Sequence, residues 1–111
     1  MTGFEFGDVV VVRFPFSDEE STKQRPAVVV SGASYNAERP GVIVLALSSR
    51  AGVPGIGDCP VLDWEGAGLL RQSFMRPLIA TVSQDSVRSH LGRLSQRDSE
   101  ALRRVLGEIL G

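Results

Sequence analysis

The sequence predicts a mainly β fold of five or six strands, built as a small barrel or a helix-covered sheet, with an α-helix at the C-terminal end. Two observations carry this. Three Val- and Ile-rich runs, Asp8–Phe14, Pro26–Ser31 and Val42–Ser48, are apolar on successive residues. That is the mark of strands buried on both faces, whereas a strand with one wet face would alternate. The last turns of the chain change period, with Leu102, Val105, Leu106 and Ile109 at i, i+3, i+4 and i+7, one apolar stripe along a helix.

Each element then follows in order. Pro15 ends the first strand because proline cannot donate to a ladder. The polar loop Ser17 to Gln24 leads into the second strand. Gly32 to Gly41, with Asn36 and Pro40, reads as an irregular connection before the third. Arg50 to Gly57 is punctuated by glycine and reads as a loop. Cys59 to Asp63 reads as a short fourth strand, and Ser73 to Val82 as one or two more, bent near Pro77. Asp85 to His90 reads as a short helical turn. Ser95, with Asp98 three residues on, resembles a capping box that starts the final helix. No internal repeat is visible.

Composition bounds the function. With 111 residues, 42% hydrophobic and 23% charged, residues 1–111 are expected to form one domain with its own core. A single cysteine, Cys59, excludes an intramolecular disulfide. The longest aliphatic run, Val42 to Leu47, is far short of the ~20 residues a membrane helix needs, so no membrane contact and a cytoplasmic location are expected. Twelve Lys and Arg against 13 Asp and Glu give a net charge of −1. A protein that coats nucleic acid nonspecifically needs a large basic field instead.

The chemistry narrows in the same way. One histidine and one cysteine cannot complete a zinc site within the chain. The carboxylates Asp18, Glu19 and Glu20 lack the alternating spacing of a calcium loop, and no phosphate-cradling glycine motif is present, so no cofactor is expected. His90 reads as a surface residue and Cys59 as a small core hydrophobe. What remains is Arg25 at the mouth of the second strand and Ser48 at the end of the third. If these strands are antiparallel neighbours, the two side chains face each other across one rim. A guanidinium beside a hydroxyl there can receive an oxyanion or phosphate, or simply sit in a salt bridge.

Three segments in this order carry a further likeness: Gly7-Asp8-Val9-Val10-Val11-Val12, Lys23-Gln24-Arg25-Pro26-Ala27-Val28-Val29-Val30-Ser31, and Val42-Ile43-Val44-Leu45-Ala46-Leu47-Ser48-Ser49. With Asp63-Trp64, Gly68-Leu69-Leu70, Leu91-Gly92-Arg93-Leu94-Ser95 and the closing helix, the chain resembles the MazF/PemK toxins of type II toxin–antitoxin systems. The resemblance implies an SH3-like β-barrel with a C-terminal helix, working as a homodimer. It also implies a metal-independent endoribonuclease that cuts single-stranded RNA, often mRNA, to a 2′,3′-cyclic phosphate and a 5′-hydroxyl. A cognate antitoxin from the same operon is the implied inhibitor.

Carried over residue by residue, the family's catalytic arginine falls on Arg25 and its hydroxyl on Ser48, a serine where the better-studied enzymes have threonine. Lys23, Gln24, Ser49 and Arg50 flank them as candidate substrate-binding residues. The alternative is a non-nuclease barrel of the same fold, either a CcdB-type gyrase-inhibiting toxin or a degenerate RNA-binding or regulatory module.

Overall fold

The computed structural model describes residues 3–13, 24–49 and 58–111. Six strands, β1 (Asp8–Arg13), β2 (Gln24–Val29), β3 (Gly41–Ser48), β4 (Cys59–Pro60), β5 (Phe74–Ser83) and β6 (Val87–Arg93), form one sheet in the order β4-β5-β3-β2-β1-β6. Every pairing is antiparallel. Two helices complete the described residues, α1 (Ala33–Glu38) and α2 (Gln96–Leu110).

The expected barrel is an open sheet, since β4 and β6 end the strand order at opposite edges. It is nevertheless strongly curled. β5 and β6 stand four strand spacings apart in that order, roughly 19 Å in a flat sheet. Only the 3-10 turn Gln84–Ser86 joins them, and the chain from Ser83 to Val87 reaches at most about 14 Å. The sheet must therefore bend to bring these two strands together.

Curling explains why the valine runs are apolar on both faces. On one face Val9, Val28, Leu45 and Leu47 pack with Leu102 and Val105 of α2, and with Val61, Ala67 and Leu69 of the segment before β5. On the other, Val10, Val12, Ala27, Val29, Val42, Val44 and Ala46 pack with Val82 of β5 and Val87 of β6. Each face has its own dry core.

Three local readings are corrected. Within Gly32–Gly41 the structure holds α1, pinned by the buried Asn36. Its amide donates to the carbonyls of Phe4 (2.8 Å) and Ser31 (3.1 Å), and it accepts from the Ser31 hydroxyl. The fourth strand is confined to Cys59–Pro60, with residues 62–68 in turns. Asp85–His90 is mostly the edge strand β6, preceded by the 3-10 turn. β5 is one strand running through Pro77. β3 pairs Leu45 with Ile79 and Leu47 with Met75, so Arg76 to Leu78 bulge out and proline's missing N–H interrupts no ladder bond.

Of the expected capping box, the half made by the Ser95 side chain is present. The Ser95 hydroxyl accepts from the Asp98 N–H at 3.3 Å. Asp98 does more than cap. Buried at 1% exposure, its carboxylate accepts from the N–H groups of Leu62 (3.0 Å) and Asp63 (2.8 Å), tying the 61–69 segment to the start of α2.

Candidate active site

β2 begins with the polar pair Gln24-Arg25, followed by Pro26. The described ladder between β2 and β3 ends at Ala27↔Ala46, next to Pro26, which has no N–H to continue it. Counting on two residues along each strand sets Arg25 opposite Ser48. Both line a cavity of about 630 Å³, within the ~300–1,000 Å³ typical of ligand sites. Arg25 and Ser48 thus reach one cavity from the ends of two adjacent antiparallel strands.

The cavity has an apolar floor of Val11, Pro26 and Leu47, one residue from each of three adjacent strands. Its rim carries Arg25, Ser48 and Ser49. Its far wall is the 68–73 segment, with Leu69, Leu70, Arg71 and Ser73, and Leu91 of β6 completes it. Arg25 and Arg71 are both exposed, and neither has an acidic partner among the described residues. Ser48 pairs with Phe74 across β5 and makes further contacts. Two guanidiniums, the strand-end serines and an apolar base suit an anionic ligand that also carries an apolar part.

Of the other candidate residues, Gln24 is exposed on β2, paired with Arg13. Lys23 and Arg50 lie outside the described residues, as do Ser17 to Lys23 and Arg50 to Gly57. The far wall was not read from the sequence. Arg71 sits among polar and apolar neighbours without periodicity, and nothing local marks it.

Its backbone is well fixed. The Ser73 hydroxyl donates to the Arg71 carbonyl at 3.0 Å, the Gln72 amide donates to Val61 O at 3.1 Å, and Val61 N–H donates to Ser73 O at 2.8 Å. Below it Gly68, at φ +87°, lies against β6 so closely that no side chain fits.

His90 and Cys59 behave as read. At the other end of β1, a second cavity of about 490 Å³ holds Glu5, Asp8, His90 and Arg93. The buried Asp8 carboxylate accepts from Arg93 Nε at 3.0 Å and from the Glu5 N–H at 2.9 Å, with His90 at 3.6 Å. The Arg93–Asp8 ion pair staples β6 to β1. Cys59 packs at the edge of the α2-side core, and burial pushes its thiol above the ordinary range, so it stays protonated near neutrality. Among the described residues no group of three His, Cys, Asp or Glu is placed to hold a metal ion. No helix there is long and apolar enough to cross a membrane.

A family model described as PemK-like, MazF-like toxin of type II toxin–antitoxin system matches residues 5–110. The chain belongs to that family. Among solved structures, MazF from Deinococcus radiodurans superposes on this PemK/MazF-like toxin with TM-score 0.79 at 23% identity, covering all of this chain and 99% of that one. An endoribonuclease in complex with its cognate antitoxin, from a mycobacterial species, gives 0.77 at 15% identity, covering 100% and 96%. A MazE–MazF complex from D. radiodurans gives 0.76 at 20%, covering 100% and 98%. At these identities the likeness shows the shared fold. No curated protein sequence matches the chain.

Proposed function

We propose that this PemK/MazF-like toxin is an endoribonuclease that cleaves single-stranded RNA, mRNA included, by internal transesterification. The observation that supports the reading is that Arg25 and Ser48, from neighbouring antiparallel strands, line the same cavity. The ribose 2′-oxygen attacks the adjacent 3′-phosphorus. The P–O2′ bond forms and the P–O5′ bond breaks, and the proton lost by the 2′-hydroxyl balances the one gained by the departing 5′-oxygen, leaving a 2′,3′-cyclic phosphate and a 5′-hydroxyl. The nucleophile belongs to the substrate, so the reaction calls for neither a metal-bound water nor a protein nucleophile.

Arg25 holds the non-bridging oxygens as negative charge builds on them, and Ser48 donates a hydrogen bond that fixes the phosphate's orientation. A guanidinium stays protonated at any physiological pH, so Arg25 acts through charge and position rather than as a base. Lys23, Gln24, Ser49 and Arg50 flank the reacting phosphate as substrate contacts. Residues 1–111 act as one toxin domain in the cytoplasm, as a C2 homodimer, restrained by an antitoxin encoded beside it. The crystallised complexes of fold relatives with cognate antitoxins support that last element. Light scattering is expected to report about twice the monomer's 11.9 kDa.

The deciding experiment incubates purified protein with a long single-stranded RNA in EDTA and analyses the ends of the products. Cyclic-phosphate and 5′-hydroxyl ends are expected from the wild type, and no cleavage from Arg25→Ala with its fold intact. An Arg25→Ala protein that cuts within about threefold of the wild-type rate has lost less than ~1 kcal/mol of transition-state stabilisation. That is too little for the main charge on the reacting phosphate, and it would sink the assignment.

A further inference from the structure

The cavity has a second cation that no motif explains. We propose that Arg71 is a phosphate-binding residue, seating the non-scissile phosphate next along the RNA from the one at Arg25. The proposal rests on the endoribonuclease reading above, and deepens it by naming a second backbone subsite.

Four observations lead there. Arg71 and Arg25 line the same cavity from different walls, Arg71 from the 68–73 segment and Arg25 from β2. Arg71 is exposed and has no acidic partner among the described residues, whereas Arg76, Arg93 and Arg97 are each tied to a carboxylate. Its carbonyl accepts from the Ser73 hydroxyl, and the neighbouring Gln72 side chain donates to the Val61 and Ser73 carbonyls, so the guanidinium hangs from a tethered segment. Beside it Leu70, 94% exposed, and Leu91 offer apolar surface. A guanidinium for the phosphate next to aliphatic side chains for a base is the pairing a nucleotide presents.

The cavity size agrees, since about 630 Å³ has room for more than a lone phosphate. The described lining contains no aromatic ring, so among the described residues no side chain offers the stacking that aromatic platforms give other single-strand binders. Backbone charge must carry more of it. A chain of net charge −1 has no diffuse basic field to do this, which leaves individually seated arginines.

The test measures binding of a single-stranded RNA made uncleavable by a 2′-deoxy nucleotide at the scissile position, across a salt series. Arg71→Ala is expected to weaken binding about tenfold at low salt. The slope of log affinity against log salt should also fall by about 0.7, the single-strand value for one neutralised phosphate. Arg71→Lys should restore the slope, because it keeps the charge. Cleavage of saturating RNA should persist in Arg71→Ala, unlike in Arg25→Ala. Arg88, exposed on β6 and outside the cavity lining, is the control.

Unchanged affinity and slope in Arg71→Ala, with wild type binding and cutting normally, would overturn the Arg71 subsite alone. An equal loss from Arg88→Ala would overturn it too, by showing a diffuse charge effect. A wild type that neither binds nor cuts RNA overturns the endoribonuclease reading and the subsite together.

Discussion

A Cβ added to Gly68 would overlap the carbonyl oxygen of Leu91, and one added to Gly92 would lie 2.6 Å from that of Ala67. The wall of the cavity is therefore pressed against β6 backbone to backbone, and only glycine permits it. Gly68 also has φ +87°, a conformation that L side chains rarely adopt. Gly68→Ala is expected to cost about 3 kcal/mol, from backbone strain and overlap together. Gly66→Ala, whose nearest neighbour would stand at an ordinary 3.8 Å, should stay within about 1 kcal/mol. Urea midpoints of the two variants check this, and equal destabilisation would contradict the close approach.

Asp98→Ala should be as severe for a different reason. It strips the acceptors from the Leu62 and Asp63 N–H groups, and each orphaned donor costs roughly 1–3 kcal/mol. A loss of about 3 kcal/mol is expected by chemical denaturation, with faster amide exchange at Leu62 and Asp63. Exchange unchanged at those two positions would show that the carboxylate is not their partner.

A pH effect follows from Asp63. Hydrogen bonds from Arg97 first, and then from Ser95, lower its pKa from 3.8 to about 2. A carboxylate whose folded value is depressed adds stability that is complete above the unfolded value and is lost as pH falls through the folded one. Arg97→Ala should therefore be less stable than wild type above about pH 4, and the gap should close towards pH 2. Thermal melts of both proteins across that range measure it. A gap that stays constant would place the stabilisation elsewhere.

How far the sequence revealed all this depends on what each element relies on. β1, β2, β3 and α2 were legible because their burial is written into local apolar patterns, and the bend at Pro77 because proline cannot donate. β6 was not. Residues Val87 to Arg93 are mostly exposed, with no period to read, and they become a strand by pairing with β1. α1 was not legible because the buried Asn36 that pins it bonds the distant Phe4 carbonyl as well as the nearby Ser31, and polar side-chain bonds leave no periodic pattern to read. The site divides along the same line. Arg25 and Ser48 could be placed from antiparallel register, whereas Arg71, Leu70 and Leu91 reach the cavity only through the close approach of Gly68 to β6.

Ser48 can be separated from Arg25 by substitution. On the proposed mechanism, Ser48→Ala removes one hydrogen-bond donor to the developing charge, a loss typically worth ~10²–10³ in rate. Ser48→Thr keeps the hydroxyl and should retain cleavage within about tenfold, since an added methyl at this half-buried position costs packing rather than chemistry. Single-turnover cleavage of one defined RNA gives both numbers. A dead Ser48→Thr beside an active Ser48→Ala would mean that the side chain's volume, not its hydroxyl, is what the site uses.

The cavity also determines what kind of inhibitor can close it. Arg25 and Arg71 would take carboxylates as readily as phosphates, while Leu70 and Leu91 would take an aliphatic or aromatic anchor in place of a base. The partner that fits is an acidic, disordered segment with a few apolar residues, which orders as it binds. On the proposed function, such a segment, supplied by an antitoxin, should abolish RNA cleavage at one binding equivalent per site. Its affinity should fall in Arg25→Ala and Arg71→Ala, and it should weaken with salt because both ion pairs are exposed. Cleavage titrations with the co-purified partner, repeated on both variants, measure this. A partner that binds the wild type and both variants equally, while RNA stays bound, would place the antitoxin on another face of the sheet.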